Sequence, residues 1–303
     1  MTDKTRVGLI GTGKMGKPMA ENLLKAGFPL VVHNRSQESV NALVAAGATN
    51  GGSSKGVAAA ADVVITSLPD PAAVRDVYLS EDGLVANARE GQVYADTSTI
   101  DPDLSRELAE KLSARGAGFL DAPVSGGVAG AEAATLTVMI GGDAEVVEKG
   151  RPVLQVFGQN LKHVGPSGSG TIVKLANQLL VGINMAAVAE AMVLGVKAGA
   201  DPEAMLGVLS TSFGSSRMLD RGVPMIVARD FGGGTPVDLL RKDLGLILDL
   251  ATQLDVPLEA GAEALKIFNR AHDASYGQED MVAIVRPLEA AAGVEVKASG
   301  KAD

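Results

Sequence analysis

The 303 residues include no cysteine, no tryptophan and only three histidines. Without cysteine the chain can form neither a disulfide nor a thiolate metal site, and nothing in it calls for an oxidising compartment. His33, His163 and His272 have no ligand spacing among them, so no metal centre is expected and all three read as structural or solvated. Basic charge is also short: 27 Lys and Arg against 36 Asp and Glu leave a net charge of −9. That balance argues against a nucleic-acid or anionic-membrane surface, because either needs a basic field. Any anionic ligand must then be held by local groups. The N-terminus lacks a basic segment followed by a long apolar one, and polar residues interrupt the most apolar stretches. Neither a signal peptide nor a membrane span is therefore expected, and a cytoplasmic protein is the default.

What is present points to a large core. Hydrophobic residues make up 46% of the chain, and its length fits about two domains. Up to about residue 163, β-branched runs such as "RVGLI", "LVVHN", "DVVITSLP", "QVYADTS", "GFLDAPV" and "LTVMIGG" alternate with helical stretches, which predicts a mainly parallel α/β sheet. Asp101–Pro102, Asp201–Pro202 and Thr235–Pro236 read as N-cap and first-turn pairs, and Gly27 and Gly47 as C-terminal stops. Beyond "HVGPSGSG" only helical patterns remain. The expectation is an α/β domain over 1–164, an all-helical domain over 165–295 serving substrate binding and dimerisation, and a polar tail over 296–303.

"VGLIGTGKMGKPMAENLLKAG" sets the loop Gly11-Thr12-Gly13-Lys14-Met15-Gly16 between a strand and a helix. Gly11 suits a tight turn, Gly13 a close approach to a pyrophosphate, and Gly16 the packing of helix on strand. The helix N-terminus then offers free N–H groups to the phosphates. A plain glycine turn is the bland alternative, but the strand before and the helix after favour a Rossmann-type dinucleotide-binding domain. Where an NAD site usually has an acid for the ribose 2′-OH, this chain has Asn34, Arg35 and Ser36. Arg35 and Ser36 suit a 2′-phosphate, so NADP is favoured over NAD.

The motif set resembles the 3-hydroxyisobutyrate dehydrogenase family of short β-hydroxyacid dehydrogenases, related to phosphogluconate dehydrogenase. "GLIGTGKMGKPMAENLLKAG", "DAPVSGG", "GSGTIVKLANQ" and "KDL" stand in the family's order and span nearly the whole chain. The resemblance implies that Ser125, Gly126 and Gly127 bind the substrate carboxylate, that Lys174 is the catalytic acid/base, and that Lys242 approaches the cofactor near the nicotinamide. It also implies that Leu68, Pro69 and Thr99 line the cofactor crevice, and that the assembly is a homo-oligomer. Many members carry asparagine four residues after the lysine, where this chain has Gln178. That string is similar to the tartronate semialdehyde (2-hydroxy-3-oxopropionate) reductases, and dehydrogenases of 3-hydroxyisobutyrate, serine or threonine are the alternatives.

Lys174 and Gln178 are four residues apart, about 40° around a helix, and so share a face. A lysine desolvated in a closed cleft has its pKa lowered towards the working pH and can exchange a proton with a substrate oxygen that Gln178 orients. The competing reading is a lysine that snorkels to water. The backbone N–H groups and hydroxyl of "VSGGVAG" suit a carboxylate, while the G-x-S-x-G spacing of a hydrolase is missing. The expected ligands are thus NADP or NAD and a small anionic 3-hydroxy acid or semialdehyde. A non-catalytic NADP-binding scaffold is the reading from another class, and the presence of Lys174 argues against it.

Overall fold

The computed structural model describes residues 5–298. It divides into two compact units between Lys174 and Leu175. The first unit begins with β1 (Val7–Ile10), α1 (Gly16–Lys25), β2 (Leu30–His33), α2 (Gln37–Ala45), β3 (Thr49–Asn50) and α3 (Ser54–Ala60). It continues with β4 (Val63–Thr66), α4 (Pro71–Leu79), β5 (Val93–Asp96), α5 (Pro102–Ser113), β6 (Gly118–Asp121) and β7 (Val124–Ser125). Then follow α6 (Gly127–Glu132), β8 (Leu136–Gly141), α7 (Ala144–Leu154), β9 (Gly158–Gly165) and α8 (Ser169–Lys197), whose first residues complete the unit.

The strands run in the order β3-β2-β1-β4-β5-β6-β8-β7, with β9 on β8. All neighbours from β3 to β6 are parallel, while β8 meets β6 and β7 antiparallel. Successive side chains of a strand enter opposite faces. Val7, Leu9, Val63, Ile65, Val93 and Ala95 join Met19, Leu23, Val40 and Leu43 of α1 and α2 in one core. Val64, Tyr94 and Phe119 join Val57, Tyr78, Leu104, Leu108 and Leu112 of α3, α4 and α5 in the other. Both faces are covered, so β1, β4 and β5 are buried at every residue and read as continuous apolar runs. Helix α5 illustrates the local logic: Asp101 caps Leu104 N–H at 2.7 Å, Pro102 opens the first turn, and three leucines at four-residue spacing are fully buried. Truncating one of them to alanine would cost about 2–5 kcal/mol.

In the second unit α8 continues to Lys197, followed by α9 (Pro202–Leu209), α10 (Arg217–Val227), α11 (Val237–Gln253), α12 (Glu259–Ala271) and α13 (Val285–Ala292). A π-helical turn at His272–Tyr276 and a 3₁₀ turn at Met281–Ile284 join the last two. Its core gathers Leu175, Met185, Ala189 and Met192 of α8 with Leu219, Val223, Leu240, Leu244, Ile267 and Phe268.

Several boundaries differ from expectation. β9 ends at Gly165, the expected boundary, while the two compact units part further on, inside α8, because the first turn of α8 is bonded to β6 and α5. Residues 296–298 are docked rather than a loose tail: Val296 is fully buried, its N–H donates to Glu289 Oε1 at 2.8 Å and its carbonyl accepts from Arg229. The rest of the expected tail, 299–303, lies outside the described residues. Pro236, not Thr235, is the N-cap of α11, since the Thr235 N–H donates to Asp280 Oδ2 at 2.9 Å and fixes the approach there. Finally, α8 does contain an 18-residue window of mean hydropathy 2.0, long and apolar enough to cross a membrane, of which 39% is buried.

Candidate active site

The loop between β1 and α1 assigns each glycine a distinct constraint. Gly11 has φ +94°, and a Cβ there would collide with the Ser67 carbonyl. A Cβ on Gly16 would collide with the Gly11 carbonyl, so the helix closes directly on the turn. Gly13 is exposed with nothing within 4 Å of its virtual Cβ, which leaves the main chain open to a ligand. Thr12 is buried, Lys14 is exposed, and Met15 precedes the first turn of α1. This turn lies between β1 and its neighbour β4 at the carboxyl end of the sheet, where the strand order reverses and a dinucleotide binds in such sheets.

At the end of β2, Asn34 Oδ1 accepts from Thr12 N–H at 3.3 Å and Asn34 Nδ2 donates to the Ser36 carbonyl at 3.1 Å. The asparagine thus ties the glycine turn to the start of α2. Arg35 is exposed and makes no ion pair among the described residues. Ser36 is the N-cap residue of α2, but its hydroxyl closes no cap hydrogen bond.

Leu68, Pro69 and Thr99 follow β4 and β5. Beneath them is a buried carboxylate that sequence reasoning missed. Asp96 Oδ1 accepts from Thr66 Oγ1 at 2.7 Å and Ser98 Oγ at 2.6 Å, and Ser98 Oγ in turn accepts from Leu68 N–H at 2.9 Å. The chain of bonds links the Leu68 loop to the Thr97–Thr99 loop. Burial pushes the Asp96 carboxyl up to about 6, against the lowering effect of its Ser98 and Thr66 hydrogen bonds and with a smaller push from Asp121.

In "DAPVSGG", Ser125 pairs with Thr137 across β7 and β8, and Gly126 and Gly127 are exposed with φ +137° and +64°. Both glycines are in a backbone region that side chains disfavour. Asp121, the last residue of β6, is 1% exposed and accepts from the N–H groups of Gly168 and Thr171, both at 2.8 Å. Burial raises its pKa, and those two N–H bonds oppose the rise.

Helix α8 carries Lys174, which is 8% exposed, whereas a lysine that snorkels keeps its ammonium in water. In the helical unit, Gln178 Nε2 donates to Asp243 Oδ2 at 2.6 Å, and Gln178 Oε1 accepts from Asn177 Nδ2 at 3.0 Å. A carboxylate only accepts, so the amide group of Gln178 is oriented by this contact. Lys242 Nζ stands 2.8 Å from Asp243 Oδ1 as an ion pair without the alignment of a hydrogen bond. The structure therefore joins Gln178 and Lys242 through Asp243, a fully buried residue sequence reasoning had passed over. The signal was available: Asp243 interrupts the apolar stripe Val237, Leu240, Leu244, Ile247 and Ala251 of α11.

Of the three histidines, His33 ends β2, and its carbonyl accepts from Gly11 N–H of the glycine turn at 3.0 Å. His163 Nε2 lies 2.9 Å from the Gly142 carbonyl, His272 Nδ1 2.6 Å from Asp238, and burial lowers the pKa of His33. Among the described residues no group of three or more His, Asp or Glu is placed to hold a metal.

An open glycine turn at the switch point of a doubly wound sheet, followed by a helical unit, defines a protein of the dinucleotide-binding class. Residues 6–165 match the NAD-binding domain of 6-phosphogluconate dehydrogenase, and 168–288 the NAD-binding domain of NADP-dependent 3-hydroxyisobutyrate dehydrogenase. The 2-(hydroxymethyl)glutarate dehydrogenase of Eubacterium barkeri is 41% identical over 297 residues, 98% of this chain and 99% of its own. The NAD-dependent L-serine dehydrogenase of Pseudomonas aeruginosa is 38% identical over 95% of this chain and 99% of its own. The solved Mycobacterium tuberculosis 3-hydroxyisobutyrate dehydrogenase with L-serine superposes with a TM-score of 0.87 at 32% identity, over 94% of this chain and 99% of that one. The chain belongs to the 3-hydroxyisobutyrate dehydrogenase family and is an NAD(P)-dependent β-hydroxyacid dehydrogenase.

Proposed function

We propose that the enzyme moves hydride between the nicotinamide and the oxygen-bearing carbon of a small 3-hydroxy acid or its semialdehyde, with Lys174 exchanging the proton. In reduction, hydride adds to the carbonyl carbon and the Lys174 ammonium gives a proton to the carbonyl oxygen. Oxidation runs both transfers backwards. The observation that carries this reading is the burial of Lys174 on the mainly apolar helix α8. Ser125 with the N–H groups of Gly126 and Gly127 would hold the carboxylate, and Gln178 the reacting oxygen. The turn Gly11–Gly16, the loop Leu68–Pro69, Thr99 and Lys242 would hold the coenzyme. We favour NADP, supported by the exposed Arg35 and by Asn34 in place of an acid.

The best single substrate pair is tartronate semialdehyde with glycerate, supported by the Gln178 string. L-Serine is the second reading, favoured by the likeness to a serine dehydrogenase. A panel of tartronate semialdehyde, glycerate, L-serine, 3-hydroxyisobutyrate and 2-(hydroxymethyl)glutarate, each with both coenzymes, tests it. The expected result is the highest kcat/KM for tartronate semialdehyde with NADPH, and a higher value for another pair replaces that assignment. Lys174→Ala is expected to lose about 10²- to 10⁴-fold in kcat while keeping NADPH affinity. Near-normal turnover would remove Lys174 from the chemistry.

The enzyme is read as a cytoplasmic homo-oligomer. Leu180, Ala187 and Leu194 recur every seven residues on α8 and are exposed, a seam that a second copy of the chain would cover. Sedimentation of Leu180→Glu/Leu194→Glu against the parent chain tests the assembly, with a fall to monomer expected.

A further inference from the structure

We propose that Asp121 is a positioning residue, whose carboxylate fixes the first turn of α8 and through it the place of Lys174; this rests on the reading of Lys174 as the proton-transfer group. Asp121 ends β6, a strand paired to β5 and β8 and therefore rigid. Its two oxygens are divided between two main-chain donors, Oδ1 accepting from Gly168 N–H and Oδ2 from Thr171 N–H, each at 2.8 Å. Both are among the N–H groups that a helix start leaves without an internal partner, and a carboxylate there also meets the positive end of the helix dipole. The contact thus fixes both the height and the rotation of the turn, where a single bond would leave one of them free.

Packing around the contact admits no slack. A Cβ on Gly170 would run into the main-chain oxygens of Met139 and Asp121, and one on Gly141 into the Asp121 carboxylate and the Gly170 nitrogen. Thr171 Oγ1 meets Ser105 Oγ at 3.0 Å, which holds the same turn against α5. Lys174 comes three residues after Thr171, so a helical rise of about 4.5 Å is all that separates the anchored N–H from its backbone. Nothing flexible intervenes, and any shift of the turn moves Lys174 with it. The "DAPVSGG" segment then has two uses: its serine and glycines face a substrate, and its aspartate holds the helix that carries the lysine.

Asp121→Asn preserves volume but offers one acceptor where two donors converge. With L-serine, 3-hydroxyisobutyrate and tartronate semialdehyde as probes, the variant is expected to lose about 10²-fold in kcat, the scale of a 1 Å misplacement. KM is expected to change less than about threefold, and NADPH affinity by fluorescence titration less than about twofold. A residue serving stability alone would lower Tm and leave kcat per folded molecule intact. A kcat within about threefold of the parent, measured below the variant's own Tm, overturns the proposal. Should Asp121→Asn fail to fold, Gly141→Ala keeps the carboxylate in the chain but displaces it, and the same split between kcat and KM is expected. Lys174→Ala is run in parallel. If it turns over normally, the lysine reading falls; if it is inactive while Asp121→Asn and Gly141→Ala are fast, only the role of Asp121 falls.

Discussion

The α/β unit and the helical unit prepare for a ligand in different ways. The first works mainly with the backbone: a glycine at 13 bare of neighbours, positive φ at Gly126 and Gly127, and main-chain N–H groups that converge on Asp121. The second works with side chains, where Asp243 holds the amide of Gln178 and the ammonium of Lys242. Backbone sites depend on the space around the main chain, so they break when volume is added. Side-chain sites depend on particular atoms, so they break when an atom is removed.

Of these two, adding volume gives the larger effect. Gly13→Val would fill the approach proposed for the coenzyme's pyrophosphate, and since a Cβ there meets nothing within 4 Å, Tm should change little. NADPH affinity should fall about 10²-fold, the loss of one or two hydrogen bonds to charged groups at roughly 1.5–3 kcal/mol each. Isothermal titration and a melting curve read the two sides. A large fall in Tm would mean that Gly13, like Gly16, is held by packing.

Removing an atom's charge in the helical unit should cost less. Asp243→Asn retains one acceptor, and its amide nitrogen would face either the Gln178 amide or the Lys242 ammonium. A weakened hydrogen bond to a charged group predicts about a tenfold fall in kcat with NADPH affinity within about threefold. If NADPH affinity falls as much as kcat, the pair Lys242–Asp243 serves the coenzyme rather than the orientation of Gln178.

These two regions were also unequally legible. The alternation of β-branched runs and helices, the Gly11–Gly16 turn and the proline starts at Pro102 and Pro202 are local patterns, and the α/β unit and helical unit follow from them. Strand β9 was missed because "GQNLKHVG" is mostly polar and largely exposed, on the outer side of β8. The buried carboxylates escaped for another reason. Asp96 and Asp121 read as polar residues ending strands, and their partners lie in distant segments: Thr66 for one, Gly168 and Thr171 for the other. Lys174 and Gln178 could be found by their place on an apolar helix, but Asp243 meets Gln178 only through a contact 65 residues away in sequence.

A smaller effect separates the coenzymes. Arg35 is exposed, so solvent weakens any pair it makes with a 2′-phosphate. Arg35→Ala should weaken NADPH about fivefold and leave NADH unchanged. Equal changes in the two affinities would remove Arg35 from the 2′-phosphate site and leave the choice of coenzyme to Asn34 and Ser36.

The smallest expected effect concerns stability rather than turnover. The Asp96 carboxyl titrates at about 6 in the fold against 3.8 for the free group, because burial disfavours its charge. Between those values the folded state binds more protons than the unfolded one, so stability falls as pH rises from about 4 to about 6, and the penalty stays in place above. All three hydrogen bonds to Asp96 end on Oδ1, and Oδ2 meets no donor among the described residues. An amide in place of this carboxylate would therefore keep those bonds and remove the charge, at the cost of a nitrogen with no acceptor. The two terms are each of order 1–3 kcal/mol and oppose, so Asp96→Asn should stabilise the enzyme at about pH 7.5 by only about 1 kcal/mol. Its sharper signature is the slope: melting curves from about pH 4.5 to about 7.5 should lose the part of the downward trend that the parent owes to Asp96. A parallel trend in the variant would mean that another group, with Asp121 the first to examine, carries the titration.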